Sequence, residues 1–533
     1  MGCPLLPAAL LQASPLRWCQ GGVLVYFLVL AAIGLAGRHR VRSAEDYALA
    51  GRRFSLGVAT LALLASWFGV GSCLGIAGQV CAGGLRDVAA DPFAASLSLL
   101  LAGLFLAGAL RKQEGTTVTD CIAARFGRAA GVYAAIWMIP VYAGWLGSMV
   151  VGLGSVVHLL TGLDARAAQW AGAGVILLYT VAGGMWAASM TDVVQMLLIV
   201  LGLALVLPGA LAQAGGLREV LARNADSLSL LPGPPPEGVT AISHAAHTAG
   251  TWMIMGLGCM VGQDLMQRAF ACRSPKVAAR STVAAGFLYL AIAGAPILIG
   301  LAAKSVLPAN GITPDAIGPD FENQVFPRMA LLSVERLHPI AVALVFCTIL
   351  SAIMSSADSA LLAASSLAIH GIVLPLCPQL PPRRALAWAR ATTAGMLLLS
   401  VWLARRSGSV YHLMVNSWAA QLVVILIPVL AAVFLPGATR RNAWAAMTVA
   451  PAVWMAVVGR AVAKQLSGGM PFSGALSSDA AGFAFTEGAA WGFLAGLAAF
   501  VLASPRAACR VSGGSPLPRP GRDPAKSGPL QPP

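Results

Sequence analysis

The chain has 533 residues, of which 58% are hydrophobic and only 10% charged, with a formal net charge of +15. Apolar stretches of this number and length exclude an ordinary soluble domain and indicate a protein that crosses the lipid bilayer several times. The basic residues concentrate in the short connections between apolar stretches, so the positive charge does not indicate a nucleic-acid partner.

The two ends of the chain differ from its long apolar middle. Arg17 lies at the wrong end of the first eighteen residues for a secretory signal peptide, so residues 1–18 are expected to remain as an extracytoplasmic N-terminus. No long polar segment interrupts residues 19–504, which are therefore expected to form one transmembrane domain. Residues 505–533 are rich in Pro, Gly and basic residues and are predicted to be a disordered cytoplasmic tail.

Hydropathy predicts about thirteen transmembrane helices. They lie near residues 19–36, 55–81, 89–110, 131–160, 167–186, 190–213, 248–267, 281–303, 338–368, 389–404, 414–434, 442–459 and 486–504. With the N-terminus outside, the connections that face the cytoplasm hold 23 of the 35 Lys and Arg residues. This excess follows the positive-inside rule and predicts a cytoplasmic C-terminus.

Clusters of glycine lie in the middle of the second and the seventh predicted helices. They are Gly69, Gly71, Gly75 and Gly78 in the second, and Gly256, Gly258 and Gly262 in the seventh. A spanning helix can lose its regular hydrogen bonds only where the freed groups face protein or a wet cavity. Because the two helices lie five apart and run in opposite directions, the pattern predicts a five-plus-five inverted repeat with two broken helices. The glycines could instead serve only close helix packing.

The ninth predicted helix contains the unusually polar run SAIMSSADSALLAASS, from Ser351 to Ser366. Helical periodicity places four of its residues near one another on one face, with Asp358 beside them. The four are Ala352, Ser355, Ser356 and Ser359. Neutral hydroxyl and carbonyl oxygens suit the weak, reversible binding of sodium, a hard cation. Serines in membrane helices also bond to their own backbone or join neighbouring helices, and this alternative stays open.

Two carboxylates lie in or beside predicted helices. Asp192 follows the stretch YTVAGGMWAASMT, and Asp358 lies in the polar run. A carboxylate near hydrocarbon is costly unless it is paired, hydrated or bound to an ion, so both are candidate functional residues. Asp192 could also lie harmlessly at the cytoplasmic interface, since the fifth predicted helix ends close to it.

Four segments together resemble the sodium:solute symporter family, which includes sodium-coupled transporters of glucose, proline, pantothenate and choline. The segments are SAEDYALAGRR after the first helix, YTVAGG with Thr191, Asp192 and Gln195, QRAFACRS at 267–274, and MSSADSALLAASS at 354–366. The likeness covers about residues 43–435. It implies an all-α membrane protein with an inverted-repeat core of ten helices, here about residues 55–435, within a transporter domain of residues 19–504.

The resemblance also implies where ions bind. One sodium ion is expected between the broken second helix and the ninth helix, and the residues implied are Ala65, Phe68, Ala352, Ser355 and Ser356. Some members hold a second sodium ion, which implies a possible second cation site at Asp192, Ser355 and Ser359. This chain has Asp358 where those members have another serine, so the second site stays open.

The stretch ASWFGVGS is similar to that of the choline transporters within the family, with Trp67 before the glycine-rich break. Aromatic faces attract quaternary ammonium groups, and Trp145 is a candidate for a second face; both tryptophans could instead only pack. Choline transporters carry a further Trp where this chain has Gly262 before Gln263, so an amino-acid-like solute also fits. The predicted substrate-binding residues are Trp67, Gly69, Gly71, Trp145, Gly262 and Gln263.

The sequence therefore predicts a sodium-coupled symporter of the cell membrane that imports a small choline-like or amino-acid-like organic solute by alternating access. A sodium-independent facilitator and a transporter-like solute sensor are the alternatives. No nucleophile motif or metal-ligand spacing predicts an enzyme or a metal other than sodium. The expected partners are sodium, the solute and the lipid bilayer, without nucleic acid and without a cofactor.

Overall fold

The computed structural model describes residues 13–161, 164–318, 321–334, 337–404, 418–470, 475 and 478–504. Most of the predicted N-terminus and all of the predicted tail at 505–533 lie outside these described residues. Regular secondary structure in the described part of the chain is helical, and the predicted all-α class is confirmed.

Twenty-one α-helices occur in the described residues. The first eleven are α1 (Ala13–Gly37), α2 (Ala44–Leu49), α3 (Leu56–Trp67), α4 (Ile76–Gly83), α5 (Ala95–Leu101), α6 (Gly108–Arg111), α7 (Val118–Phe126), α8 (Arg128–Thr161), α9 (Ala165–Gln213), α10 (Leu217–Arg223) and α11 (Ala241–Met253). The others are α12 (Gln263–Ala271), α13 (Pro275–Ala309), α14 (Pro314–Ile317), α15 (Phe321–Val334), α16 (Pro339–Ser366), α17 (Leu374–Leu376), α18 (Pro382–Ala404), α19 (Ile427–Phe434), α20 (Arg440–Ser467) and α21 (Asp479–Leu502).

Eight helices of the described chain are long and apolar enough to cross a membrane, or nine if the bent pair Leu56–Trp67 and Gly71–Gly83 is one span. The 49-residue α9 covers two of the predicted spans, because Gly184 inside it leaves helical geometry at φ 54° and ψ −150°. A Cβ at this position would lie 2.7 Å from the backbone oxygen of Tyr47, so only glycine fits the turn. The total of thirteen stays a prediction.

The first predicted break is present between α3 and α4. The chain leaves helical geometry at Phe68 (φ −82°, ψ 65°), which follows the last residue of α3. It resumes as a π-helical turn, Gly71–Gly75, before α4. The two halves, Leu56–Trp67 and Gly71–Gly83, are bent by 61°. Carbonyl groups at the end of α3 are thereby freed from their usual partners.

The second predicted break is present between α11 and α12. The chain passes from α11 through a π-helical turn, Ile254–Gly258, and a 3-10 turn, Cys259–Val261. Gly262 then turns away from helical geometry at ψ 137°, and α12 begins at Gln263. The structure therefore contains both broken helices that the glycine clusters predict.

The polar ninth predicted helix, α16, lies at the centre of the bundle. It packs against α1, α3, α8 and α9. Every residue from Val345 to Ser366 is buried. Its hydroxyl groups therefore face protein rather than lipid, as buried polar groups require.

A short backbone connection joins the two broken helices at the ends of α3 and α12 that lie farthest from the breaks. Phe54, just before α3, pairs with Cys272, just after α12, in a parallel bridge. The Phe54 N–H donates to the carbonyl of Ala271 at 3.0 Å, and the Arg273 N–H donates to the carbonyl of Phe54 at 3.1 Å. The helices α3 and α12 are thus connected far from their breaks.

Candidate functional site

The end of α3 and the middle of α16 meet through side-chain hydroxyls and backbone carbonyls. The Ser355 hydroxyl donates to the carbonyl of Ala65 at 2.8 Å. The Ser356 hydroxyl donates to the carbonyl of Ser66, also at 2.8 Å. Both hydroxyls also approach the carbonyl of Ala352, at 3.4 and 3.3 Å. We call this contact the α3–α16 seam; its oxygen atoms are of the type that hard cations prefer.

Phe68 lies at the break itself and is fully buried. Its ring packs edge-on against Tyr289, with 5.7 Å between the ring centroids. Gly69 follows and lies against α16, because a Cβ there would lie 2.2 Å from Oγ of Ser356. The glycine therefore permits the close approach of α16, whereas the departure from helical geometry lies one residue earlier, at Phe68.

A second polar cluster lies beside the seam. Nη2 of Arg268 lies 2.9 Å from Oδ2 of Asp192, and both side chains are fully buried. The same guanidinium donates to Oγ of Ser359 at 2.5 Å. Asp192 therefore lies inside the bundle in a buried ion pair, and its carboxylate is not exposed at the protein surface.

Asp358 completes the second cluster from α16. It accepts hydrogen bonds from the hydroxyls of Tyr179 at 3.1 Å and Ser359 at 3.2 Å. The structure therefore brings together Asp192, Asp358 and Ser359, with the guanidinium of Arg268 among them. Among the described residues, no group of three or more His, Cys, Asp or Glu side chains could hold a metal ion.

A cavity lies next to the seam, at the breaks of both broken helices. Its aromatic walls are Trp67, Trp145, Trp418 and Tyr289. Trp145 and Trp418 pack edge to face, with ring centroids 5.6 Å apart. Aromatic walls with a few polar side chains are typical of a site for one small molecule.

The polar side chains that line the cavity include two carboxylates. They are Ser72, Asp91, Asp264, Ser356 and Gln421. Ser356 belongs to both the cavity and the α3–α16 seam, so the two sites share a wall. No Lys, Arg or His is among the described residues that line the cavity.

Each carboxylate is held by its own pair of donors. Oδ1 of Asp91 accepts from the Tyr289 hydroxyl at 2.5 Å, and Oδ2 accepts from Ser72 at 3.1 Å. Oδ1 of Asp264 accepts from the Tyr142 hydroxyl at 2.8 Å, and Oδ2 accepts from Nε1 of Trp67 at 2.9 Å. Both carboxylates are therefore fixed in place.

Of the six predicted substrate residues, four line the cavity. They are Trp67, Gly69, Gly71 and Trp145. Gln263 does not, because its side chain accepts from the Val118 N–H at 2.8 Å and donates to the Thr116 carbonyl at 3.3 Å. Gly262 does not line the cavity either, although a Cβ there would lie 2.8 Å from Oδ1 of Asp264.

Sequence reasoning missed Asp91, Tyr289, Trp418 and Gln421 as lining residues. For Asp91 a signal was present, since it is a carboxylate inside a predicted membrane helix. Gln421 gives a similar signal in the stretch 418–434. Nothing in the sequence places Tyr289 or Trp418 beside Trp67, because these contacts join distant parts of the chain.

The model of the sodium:solute symporter family matches residues 47–450. The chain belongs to this family. Family membership makes it a sodium-coupled transporter of a small solute, with sodium as the coupling ion, and confirms the function predicted from the sequence. The family is one of multi-span membrane transporters.

Curated relatives include two choline transporters. High-affinity choline transporter 1 of Caenorhabditis elegans is 26% identical over 442 residues, which cover 78% of this chain and 73% of the relative. High affinity choline transporter 1 of Homo sapiens is 26% identical over 435 residues, covering 78% and 72%.

A solved structure of a Na+-coupled sialic acid symporter, in a substrate-bound outward-open state, shares the fold. The TM-score is 0.70 at 18% identity, and the match covers 91% of this chain and 98% of that one. The comparison confirms the predicted inverted-repeat transporter fold.

Proposed function

We propose that the protein imports a small organic cation together with sodium, through the cell membrane, with its N-terminus outside and its C-terminus in the cytoplasm. The observation that carries this proposal is the cavity, whose described lining combines aromatic rings and carboxylates and includes no basic side chain. The orientation rests on the distribution of Lys and Arg residues.

The chemistry of the walls favours a positive solute. A cation over the face of Trp67, Trp145 or Trp418 gains roughly 0.5 to 2 kcal/mol, depending on its desolvation. The carboxylates of Asp91 and Asp264 add electrostatic attraction. An amino acid would bring its own carboxylate into the same cavity, where repulsion disfavours it. The cation class is shared with choline, for which the two choline transporters among the curated relatives are named.

The coupling sodium ion is proposed to bind at the α3–α16 seam. Its ligands would be the carbonyls of Ala65, Phe68 and Ala352 and the hydroxyls of Ser355 and Ser356. In the structure these hydroxyls donate directly to carbonyls of α3. An ion would replace those hydrogen bonds, since a hydroxyl that coordinates sodium turns its lone pair toward the ion.

Ser356 links the ion to the solute, because it lies in both the seam and the cavity wall. Sodium binding that fixes α3 against α16 also fixes Trp67 at the cavity. The affinity for solute then rises with sodium, and by thermodynamic reciprocity the affinity for sodium rises with solute.

The second cation site, at Asp192, Asp358 and Ser359, is proposed to fill only when Arg268 moves away. The guanidinium now supplies the positive charge to Asp192 and donates to Ser359. A transport cycle that keeps this ion pair intact would therefore carry one sodium ion through the seam.

The test is uptake of radiolabelled choline into proteoliposomes with an inward sodium gradient, compared with an inward potassium gradient. Sodium-driven uptake that Ser355→Ala with Ser356→Ala abolishes would support the proposal. Ser400→Ala is the matched control, since within the described part of the chain this buried serine donates to the Met396 carbonyl of its own helix and to no other group. Equal uptake in both gradients would indicate a facilitator, and binding without uptake would indicate a sensor.

A further inference from the structure

Two carboxyl side chains line the cavity, and its described lining holds no basic side chain to pair with them. Asp91 is 4% exposed and Asp264 is 6% exposed, and both line the cavity. The nearby guanidinium of Arg268 is committed to Asp192, and its Nη1 reaches only the backbone carbonyl of Asp264. Within the described residues, therefore, no basic side chain neutralises the two carboxylates in the cavity.

The two carboxylates form separate binding positions. Asp91 is held by Tyr289 and Ser72, whereas Asp264 is held by Tyr142 and Trp67, so they share no donor. A carboxylate offers about four lone-pair positions, and two are used in each case. Each carboxylate can thus accept a further hydrogen bond from a ligand.

Gln421 gives independent evidence for a polar ligand. It lines the cavity, is 1% exposed, and neither its side-chain oxygen nor its nitrogen has a hydrogen-bond partner among the residues that the structure describes. Buried amide groups are rarely left unpaired, because the lost hydrogen bonds to water are costly. A ligand group in the cavity would satisfy this side chain.

The position of Gln421 bears on the kind of ligand group. A Cβ built on Gly262 would lie 2.8 Å from Oδ1 of Asp264 and 3.3 Å from Oε1 of Gln421, so both oxygens border this glycine. Two acceptor oxygens suit an N–H donor, which a protonated amine has and a quaternary ammonium lacks.

We infer that the solute is a small dication, with a protonated amine at Asp264 and Gln421 and a second positive group at Asp91 beside Tyr289. This inference rests on the proposed function and narrows its substrate class. A monocation would leave one buried carboxylate without a counter-charge, which is unfavourable in a site of low dielectric. A short aliphatic diamine is the simplest member of this solute class.

The experiment measures sodium-driven uptake of radiolabelled 1,4-diaminobutane, n-butylamine and choline by proteoliposomes containing the full-length chain. We expect wild-type protein to favour the diamine over both monocations by about tenfold or more in kcat/KM. This comparison needs no variant, so it does not depend on whether a mutant folds.

Asp91→Asn then tests the second position. We expect it to shift the ratio of diamine to n-butylamine uptake by about tenfold or more toward the monoamine. The matched control is Asp87→Asn, one turn earlier and exposed outside the cavity, which should leave the ratio unchanged.

Choline or n-butylamine taken up as well as the diamine, or an unchanged ratio in Asp91→Asn, would overturn the inference and leave the proposed function intact. Sodium-driven uptake of none of the three cations would overturn the proposed function as well.

Discussion

The buried ion pair between Asp192 and Arg268 allows a quantitative prediction about stability. Removing one partner of a buried pair leaves an unpaired charge and costs about 3–5 kcal/mol. The two removals differ here. After Asp192→Asn, the guanidinium keeps its bond to Ser359, which in turn contacts Asp358. After Arg268→Met, two carboxylates remain in the cluster without a guanidinium. We therefore expect a loss of about 3 kcal/mol for the first change and about 5 kcal/mol for the second.

The assay is reversible unfolding in mixed micelles with increasing dodecyl sulfate, analysed as a double-mutant cycle. The double variant should be more stable than the sum of the single losses predicts, with a coupling energy of at least about 2 kcal/mol. The exposed pair of Arg223 and Glu219, 2.7 Å apart on α10, is the control and should couple by less than about 1 kcal/mol. Additive losses at Asp192 and Arg268, or single losses below about 1 kcal/mol, would refute the reasoning.

Two further predictions concern glycines at which an added Cβ would lie too close to a neighbouring residue. Gly69→Ala places a Cβ 2.2 Å from Oγ of Ser356 and should push α3 away from α16. We expect the sodium concentration for half-maximal uptake to rise by about tenfold. The control is Gly57→Ala, where a Cβ has no neighbour within 4 Å and the sodium concentration for half-maximal uptake should not change. Gly184→Ala places an alanine at φ 54°, in contact with Tyr47. We expect the free energy of unfolding, measured in the same micelles, to fall by about 1–3 kcal/mol. Unchanged stability would contradict this prediction.

The sequence was informative where the signal is local. The serines of α16 and the glycines after Trp67 could be found because hydroxyls and glycines are unusual in the middle of a membrane helix. The hydrogen bonds from Ser355 and Ser356 to α3 then follow from helix packing.

Contacts between distant segments could not be found in this way. Asp192 and Arg268 are 76 positions apart, and neither residue alone indicates that they pair. Gln263 was assigned to the solute by resemblance, yet its side chain binds backbone groups at the start of α7. Which side of a broken helix faces the cavity is set by the packing of its neighbours, which periodicity does not give.

The backbone bridge at Phe54 limits how the transporter can open. It joins α3 to α12 at one end, while the hydrogen bond from Trp67 to Asp264 joins them at the cavity. Because α3 and α12 are joined at both ends, they cannot separate from each other, and we expect them to move as one rigid body. The solute would then leave along the side of this rigid body, where α3 and α12 move relative to α16. The α3–α16 seam at Ser355 is the surface at which this movement occurs.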